Sequence, residues 1–139
     1  MTAEDISAAD EERLVEAAKA ARENAYAAYS GYRVGSALLD EQGRIHTGCN
    51  VENSAFPLGL CAEASAIGTM VAAGGKRIVA IAALGGRDAL ESCTPCGGCR
   101  QNIAEFADAN TCVILLGADG AVRSFRVEEL LPLTFRLPR

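Results

Sequence analysis

Cys61 to Gly86 reads CAEASAIGTMVAAGGKRIVAIAALGG. Its first half predicts a helix over about 61–73, stopped by Gly74-Gly75. Its second half, Ile78 to Leu84, is an unbroken apolar run ending in Gly85-Gly86, which predicts a buried strand. The same pairing recurs downstream, with a helix predicted over about 97–107 and a buried strand over Thr111 to Leu116. Ala118-Asp119-Gly120 then turns the chain into a last strand, 121–126, followed by a helical turn at 128–131. Upstream, 33–39 and 44–51 predict two strands joined by Asp40-Glu41-Gln42-Gly43, a link short enough only for an antiparallel pair. Further upstream, Leu14, Ala18, Ala21, Ala25 and Ala28 recur at helical spacing, behind Ser7 or Asp10 as N-cap and ahead of Gly31 as terminator. The order is helix, strand, strand, helix, strand, helix, strand, strand. The fold class expected is α/β, a three-layer α/β/α sandwich around a mixed five-stranded sheet.

A chain of 139 residues, half of them hydrophobic, suits one domain over 1–139, with 1–9 expected as a loose tail. Aromatic residues make up only 5%, so Ala, Val, Ile and Leu must form the core. Small side chains leave less apolar area per residue, and burial between subunits would help. The net charge of −5, with no basic run longer than Lys76-Arg77, disfavours nucleic acid and favours a small, uncharged or weakly charged substrate. No stretch reaches the roughly 20 apolar residues that span a bilayer. The N-terminus carries Glu4, Asp5, Asp10, Glu11 and Glu12, unlike a signal peptide, so a cytoplasmic location is expected. Six cysteines without an export signal then point to metal or free thiols.

Two segments carry chemistry: Cys61-Ala62-Glu63 and Pro95-Cys96-Gly97-Gly98-Cys99. Zinc prefers thiolate and imidazole ligands in a tetrahedron, and Cys-x-x-Cys lets one turn supply two sulfurs. The pair sits at a predicted helix start, where free N–H groups and the helix dipole favour thiolates. Cys61, at the start of the other helix, supplies a third ligand and leaves one position open. Glu63, two residues after a ligand, can face the metal without binding it. Hydrolysis at an amidine-like ring carbon needs such a carboxylate, to place one proton on the ring nitrogen and another on the departing amine. A first Cys or His ligand, a nearby Glu and then Pro-Cys-x-x-Cys is the pattern of zinc deaminases.

Over nearly its whole length the chain resembles the small, three-cysteine cytidine deaminase family. The matching stretches are Tyr29-Ser30 with Val34-Gly35; Gly48-Cys49-Asn50-Val51-Glu52-Asn53; Pro57-Leu58-Gly59; Cys61-Ala62-Glu63; Pro95 to Gln101; and Glu129 to Pro132 with Phe135. The resemblance implies one Zn2+ per chain on Cys61, Cys96 and Cys99, with Glu63 as proton shuttle. It implies that Asn50 and Glu52 grip the ribose and that the amide of Ala62 contacts the base carbonyl. Tyr32, Val34 and Phe135 match positions that pack on the pyrimidine, Phe135 reaching in from a neighbouring subunit of a homotetramer. Phe56 is counted with them, in the loop before Pro57. The activity implied is deamination of cytidine and 2′-deoxycytidine in pyrimidine salvage, on a small-molecule nucleoside rather than nucleic acid, away from membranes.

Three positions depart from the family. Many relatives place Arg where this chain has Ala64, so helix N-termini, Arg100 or Gln101 are expected to offset the charge of three thiolates. Tyr32 stands where Phe is frequent, and its hydroxyl needs a partner. Phe56 stands where Tyr is frequent. Other readings remain. Cys93, Cys96, Cys99 and Cys61 could close a four-thiolate structural site, although Pro95 should carry Cys93 away. The substrate could be a related aminated nucleoside such as blasticidin S. His46, the only histidine, is read as surface or structural.

Overall fold

The computed structural model describes residues 6–139. The elements are α1 (Ala8–Arg22), β1 (Arg33–Asp40), β2 (Ile45–Cys49), a 3-10 turn at Phe56–Leu58, α2 (Ala62–Ala72), β3 (Ile78–Gly86), α3 (Gly97–Glu105), β4 (Cys112–Leu116), β5 (Val122–Arg126) and α4 (Val127–Leu130). The sheet order is β2-β1-β3-β4-β5. Only β3 and β4 run parallel, with α3 as the crossover between them; the other neighbours are antiparallel. This is the expected mixed five-stranded α/β architecture.

β3 is buried along its whole length, and its alternating side chains feed two cores. On one face Leu14, Val15 and Ala18 of α1 pack on Ala37, Leu39, Ala82, Leu84 and Ile114. On the other, Ala66, Ile67 and Met70 of α2 and Ile103 of α3 pack on Leu38, Ile81, Val113 and Leu115. α2 and α3 therefore share a face, and both begin with a cysteine as N-cap.

Two glycines set how closely the helices approach. A Cβ at Gly35 would collide with the α1 backbone at Ala18 and Arg22, and one at Gly48 with the α2 backbone at Ala62 and Ala66. Gly48 thus fixes the height of the α2 N-terminus above β2. Gly48→Ala is expected to cost about 1–3 kcal/mol by overpacking and to loosen metal retention. Chemical denaturation and zinc content together check this.

α1 begins behind Ser7, whose Oγ accepts from Asp10 N at 3.0 Å. Ala8 and Ala9 are therefore helical rather than part of a tail, while residues 1–5 of that expected tail lie outside the described residues. The helix stops at Arg22, short of Ala25 and Ala28. There the chain leaves the helix to pair with the loop after β2: Tyr26 N donates to Asn50 O at 3.0 Å and Glu52 N to Tyr26 O at 2.8 Å. Tertiary pairing overrides the alanine spacing. Arg22, four residues beyond Ala18, lies on the buried face. Its guanidinium donates to Gly86 O at 2.8 Å, Asp88 O at 2.9 Å and Arg33 O at 3.2 Å, tying β1 to β3 at one end of the sheet.

At the opposite end Asp40, expected in a turn, is the buried last residue of β1. His46 is buried beside it and structural, with Nε2 at 2.8 Å from Asp40 Oδ2. Among the described residues no helix is long and apolar enough to cross a membrane.

Candidate metal centre and adjoining cavity

The two N-cap cysteines face each other, with Cys61 Sγ 4.0 Å from Cys96 Sγ. Both sulfurs and that of Cys99 lie within 4.8 Å of one another. Tetrahedral zinc with roughly 2.3 Å Zn–S bonds would space its sulfurs about 3.8 Å apart, so a small contraction of this trio fits the ion. The donor set is also the one zinc prefers. Cys61 and Cys96 are exposed and Cys99 is buried, so an ion here would be protein-bound on one side and accessible on the other. The Cys99 N–H donates to Cys96 Sγ at 3.4 Å. That bond holds the Cys96 thiol below its usual range, against the opposing effect of burial. Burial pushes the Cys61 and Cys99 thiols up, and neighbouring charge adds to it. Three thiols this close resist joint ionisation, and a divalent cation reverses that balance.

Glu63, in the first turn of α2, is 5% exposed. Burial raises its carboxyl above the ordinary range, with hydrogen bonds to its own backbone and to Cys99 opposing. A carboxylate poised this way takes up and returns a proton readily.

The trio and Glu63 open on a cavity of about 300 Å³, walled by Tyr32, Val34, Asn50, Glu52 and Ala62. Asn50 braces the start of β1: Oδ1 accepts from Val34 N and Nδ2 donates to Tyr32 O, each at 2.8 Å. One N–H and one lone pair of its amide remain for other partners. Glu52 is held by the Ser30 hydroxyl, by Tyr29 N at 2.9 Å and by Ser30 N at 3.1 Å. The Ser30 hydroxyl and then these two amides lower its carboxyl, so Glu52 stands as an ionised acceptor. The anchoring residues Tyr29 and Ser30 belong to a stretch that carries the family resemblance, and nothing in its sequence signals that it holds Glu52.

The Tyr32 hydroxyl finds its partner in the Cys93 thiol; burial first, then this bond, push it up to about 12. Cys93 lines the cavity but is outside the trio, so the sulfur cluster is three and not four among the described residues. Phe56, 78% exposed, lines a neighbouring cavity and packs edge-on against Tyr29 at 6.3 Å. Phe135, 68% exposed, lies along α3 with its carbonyl accepting from Gln101 Nε2 at 3.0 Å. Within one chain neither ring lines the metal cavity. Arg100 and Gln101, expected near the thiolates, spend their hydrogen bonds on the carbonyls of Pro95, Leu130 and Phe135. The bond to Cys96 sulfur comes instead from the α3 backbone, as the helix N-terminus allows.

The comparisons with known proteins agree with this geometry. The family model described as the cytidine and deoxycytidylate deaminase zinc-binding region matches residues 8–116. A cytidine deaminase of Sporosarcina psychrophila is 42% identical over 126 residues, which cover 91% of each chain. The crystal structure of cytidine deaminase from Burkholderia pseudomallei superposes with a TM-score of 0.81 at 42% identity, covering 89% of this chain and 98% of that one. The crystal structure of the Mycobacterium tuberculosis cytidine deaminase gives 0.80 at 36% identity, covering 92% and 98%.

Proposed function

Because the chain belongs to the cytidine and deoxycytidylate deaminase family, we propose that it hydrolyses cytidine and 2′-deoxycytidine to uridine and 2′-deoxyuridine, releasing ammonia. The observation that carries this reading is a buried carboxylate, Glu63, beside a three-thiol cluster at one part of a cavity that also presents the ionised Glu52. Cys61, Cys96 and Cys99 would hold one zinc ion, whose Lewis acidity would make the proton of a water available at neutral pH. Glu63 takes that proton and places it on the ring nitrogen as the C–O bond forms at C4. Glu63 then passes the remaining hydroxyl proton to the exocyclic amine, the C–N bond breaks, ammonia leaves and the ring carbonyl forms.

The other residues bind and orient. Glu52 accepts from ribose hydroxyls, and Asn50 uses the amide valences left over from bracing β1. A fixed negative charge at that position opposes a phosphate, favouring nucleosides over nucleotides. The Ala62 amide, at the start of α2, is free of any helical acceptor and serves the base carbonyl. Tyr32 and Val34 pack on the ring. Phe56 and Phe135 act from neighbouring copies in a homotetramer. The exposure of Tyr26, Tyr29, Phe56, Leu58 and Leu60 supports such an assembly, since a patch of this kind is normally covered. The role follows as nucleoside salvage in the cytoplasm.

The test is uridine formation from cytidine, followed by ultraviolet absorbance on the zinc-loaded protein. Glu52→Gln is expected to raise KM roughly tenfold or more, by about 1.4 kcal/mol of lost hydroxyl binding, and to change kcat little. An unchanged KM would remove Glu52 from the ribose. No turnover of cytidine alongside turnover of blasticidin S would move the substrate class. No turnover of either, with a fourth sulfur on the metal, would make the centre structural.

A further inference from the structure

Arg100 folds back across the start of α3. Its backbone N–H donates to Cys96 O at 2.9 Å, and its Nε donates to Pro95 O at 2.8 Å. These two carbonyls flank the Cα of Cys96, so a single residue fixes the peptide planes on both sides of a thiol in the trio. The Pro95 carbonyl lies ahead of the helix, outside its ladder of hydrogen bonds, on a residue that is itself buried. Without the guanidinium that acceptor has no helical donor. The clamp is anchored in turn: Nη1 donates to Leu130 O at 2.7 Å, at the end of α4. No ion pair among the described residues gives Arg100 a carboxylate. Its donors are committed to holding the backbone rather than to neutralising an acid.

We infer that Arg100 is a positioning residue for the metal turn: by gripping the Pro95 and Leu130 carbonyls it keeps Cys96 in the backbone conformation that presents its sulfur to Cys61 and Cys99, and so slows metal loss. The inference rests on the zinc-site reading above. Arginine suits the task because its planar fork reaches two carbonyls at once from a rigid group, whereas a lysine ammonium is a single point donor. Groups that orient metal ligands without touching the metal typically govern affinity by about 10–100-fold.

The experiment measures zinc release from the full-length, zinc-loaded protein into an excess of a chromogenic chelator. Wild type, Arg100→Ala and Arg100→Lys are compared, each well below its own melting temperature so that unfolding does not contribute. Both variants are expected to release zinc roughly 10–100-fold faster, with KM for cytidine unchanged because Asn50 and Glu52 are untouched. Arg100→Lys keeps the charge and the aliphatic stem, and it carries the test alone should the alanine variant not fold. Release at the wild-type rate in both variants would make Arg100 a mere tie between α3 and α4 and overturn the inference. A wild-type rate in Arg100→Lys alone would assign the effect to charge and overturn the clamp. A wild-type protein that takes up no zinc would instead overturn the metal reading itself.

Discussion

Glu63→Gln is expected to lower kcat for cytidine by about 10^4-fold, close to 5.5 kcal/mol of transition-state stabilisation, while the protein retains about one zinc per chain. Glutamine has the shape of glutamate and fills the same buried space, so α2 and the trio should stand unchanged. What it lacks is the ability to accept a proton and give it back. The proposed reaction asks one group for that twice, first to the ring nitrogen and then to the departing amine. At 5% exposure there is little room for a bulk-water relay to take its place. In the proposed site the three sulfurs would hold the metal without help from Glu63, whose carboxylate is outside the cluster. Turnover and zinc content therefore separate: the first collapses and the second does not. Turnover within tenfold of wild type would show that the proton travels another way, with the Tyr32–Cys93 pair across the cavity the next to examine. Loss of zinc in the variant would make Glu63 a metal ligand.

The chemistry was more legible in the sequence than the scaffolding that holds it. Cys61, Glu63, Cys96 and Cys99 stand out because metal ligation and proton transfer need particular residue types at short spacings, and the structure brings all four together. β3 is legible because a strand buried on both faces must be apolar throughout. The end of α1 is not, because the spacing of Ala25 and Ala28 says nothing of the loop around Asn50 and Glu52 that competes for the same backbone. Arg22 leaves a trace, a charged residue at the fourth position after Ala18 on an apolar face, but two of its three carbonyl partners lie more than sixty residues away in β3 and the loop beyond. Arg100 reads as a counter-charge for the thiolates, and only the turn preceding α3 reveals that its guanidinium holds Pro95 O instead. Phe56 and Phe135 mark a different limit. Neither ring lines the metal cavity within one chain, and the contact proposed for them lies between chains, which the sequence of one chain does not carry.

Asp40→Asn is expected to lower stability by about 3 kcal/mol near neutral pH, which for a chain of this size means a melting temperature lower by roughly 10 °C. The Asp40 carboxylate is almost wholly buried. It accepts from Gln42 N at 2.9 Å, Arg44 N at 3.0 Å, Arg44 Nε at 2.9 Å and His46 Nε2 at 2.8 Å. Arg44 extends the network to the end of α2 through Ala73 O at 3.0 Å, so Asp40 joins the β1–β2 corner to the helix that carries Glu63. Burial alone would raise the carboxyl, but the bonds from His46, from the Arg44 and Gln42 backbones and from the Arg44 guanidinium outweigh it and hold it well below the usual carboxylate range. A group whose folded pKa is depressed contributes its full stability above the unfolded value, near 3.9 for Asp, and loses it as pH falls from there toward the folded pKa. The gap between wild type and Asp40→Asn should therefore be widest above about pH 5 and narrow steadily below pH 4. Thermal melts at one fixed protein concentration, repeated across that range, read the gap directly. About six residues along β1, at roughly 3.3 Å each, separate Asp40 from the cavity wall at Val34, so kcat of the folded variant at low temperature should match wild type. A gap that stays constant down to pH 2 would mean that the network contributes packing rather than charge.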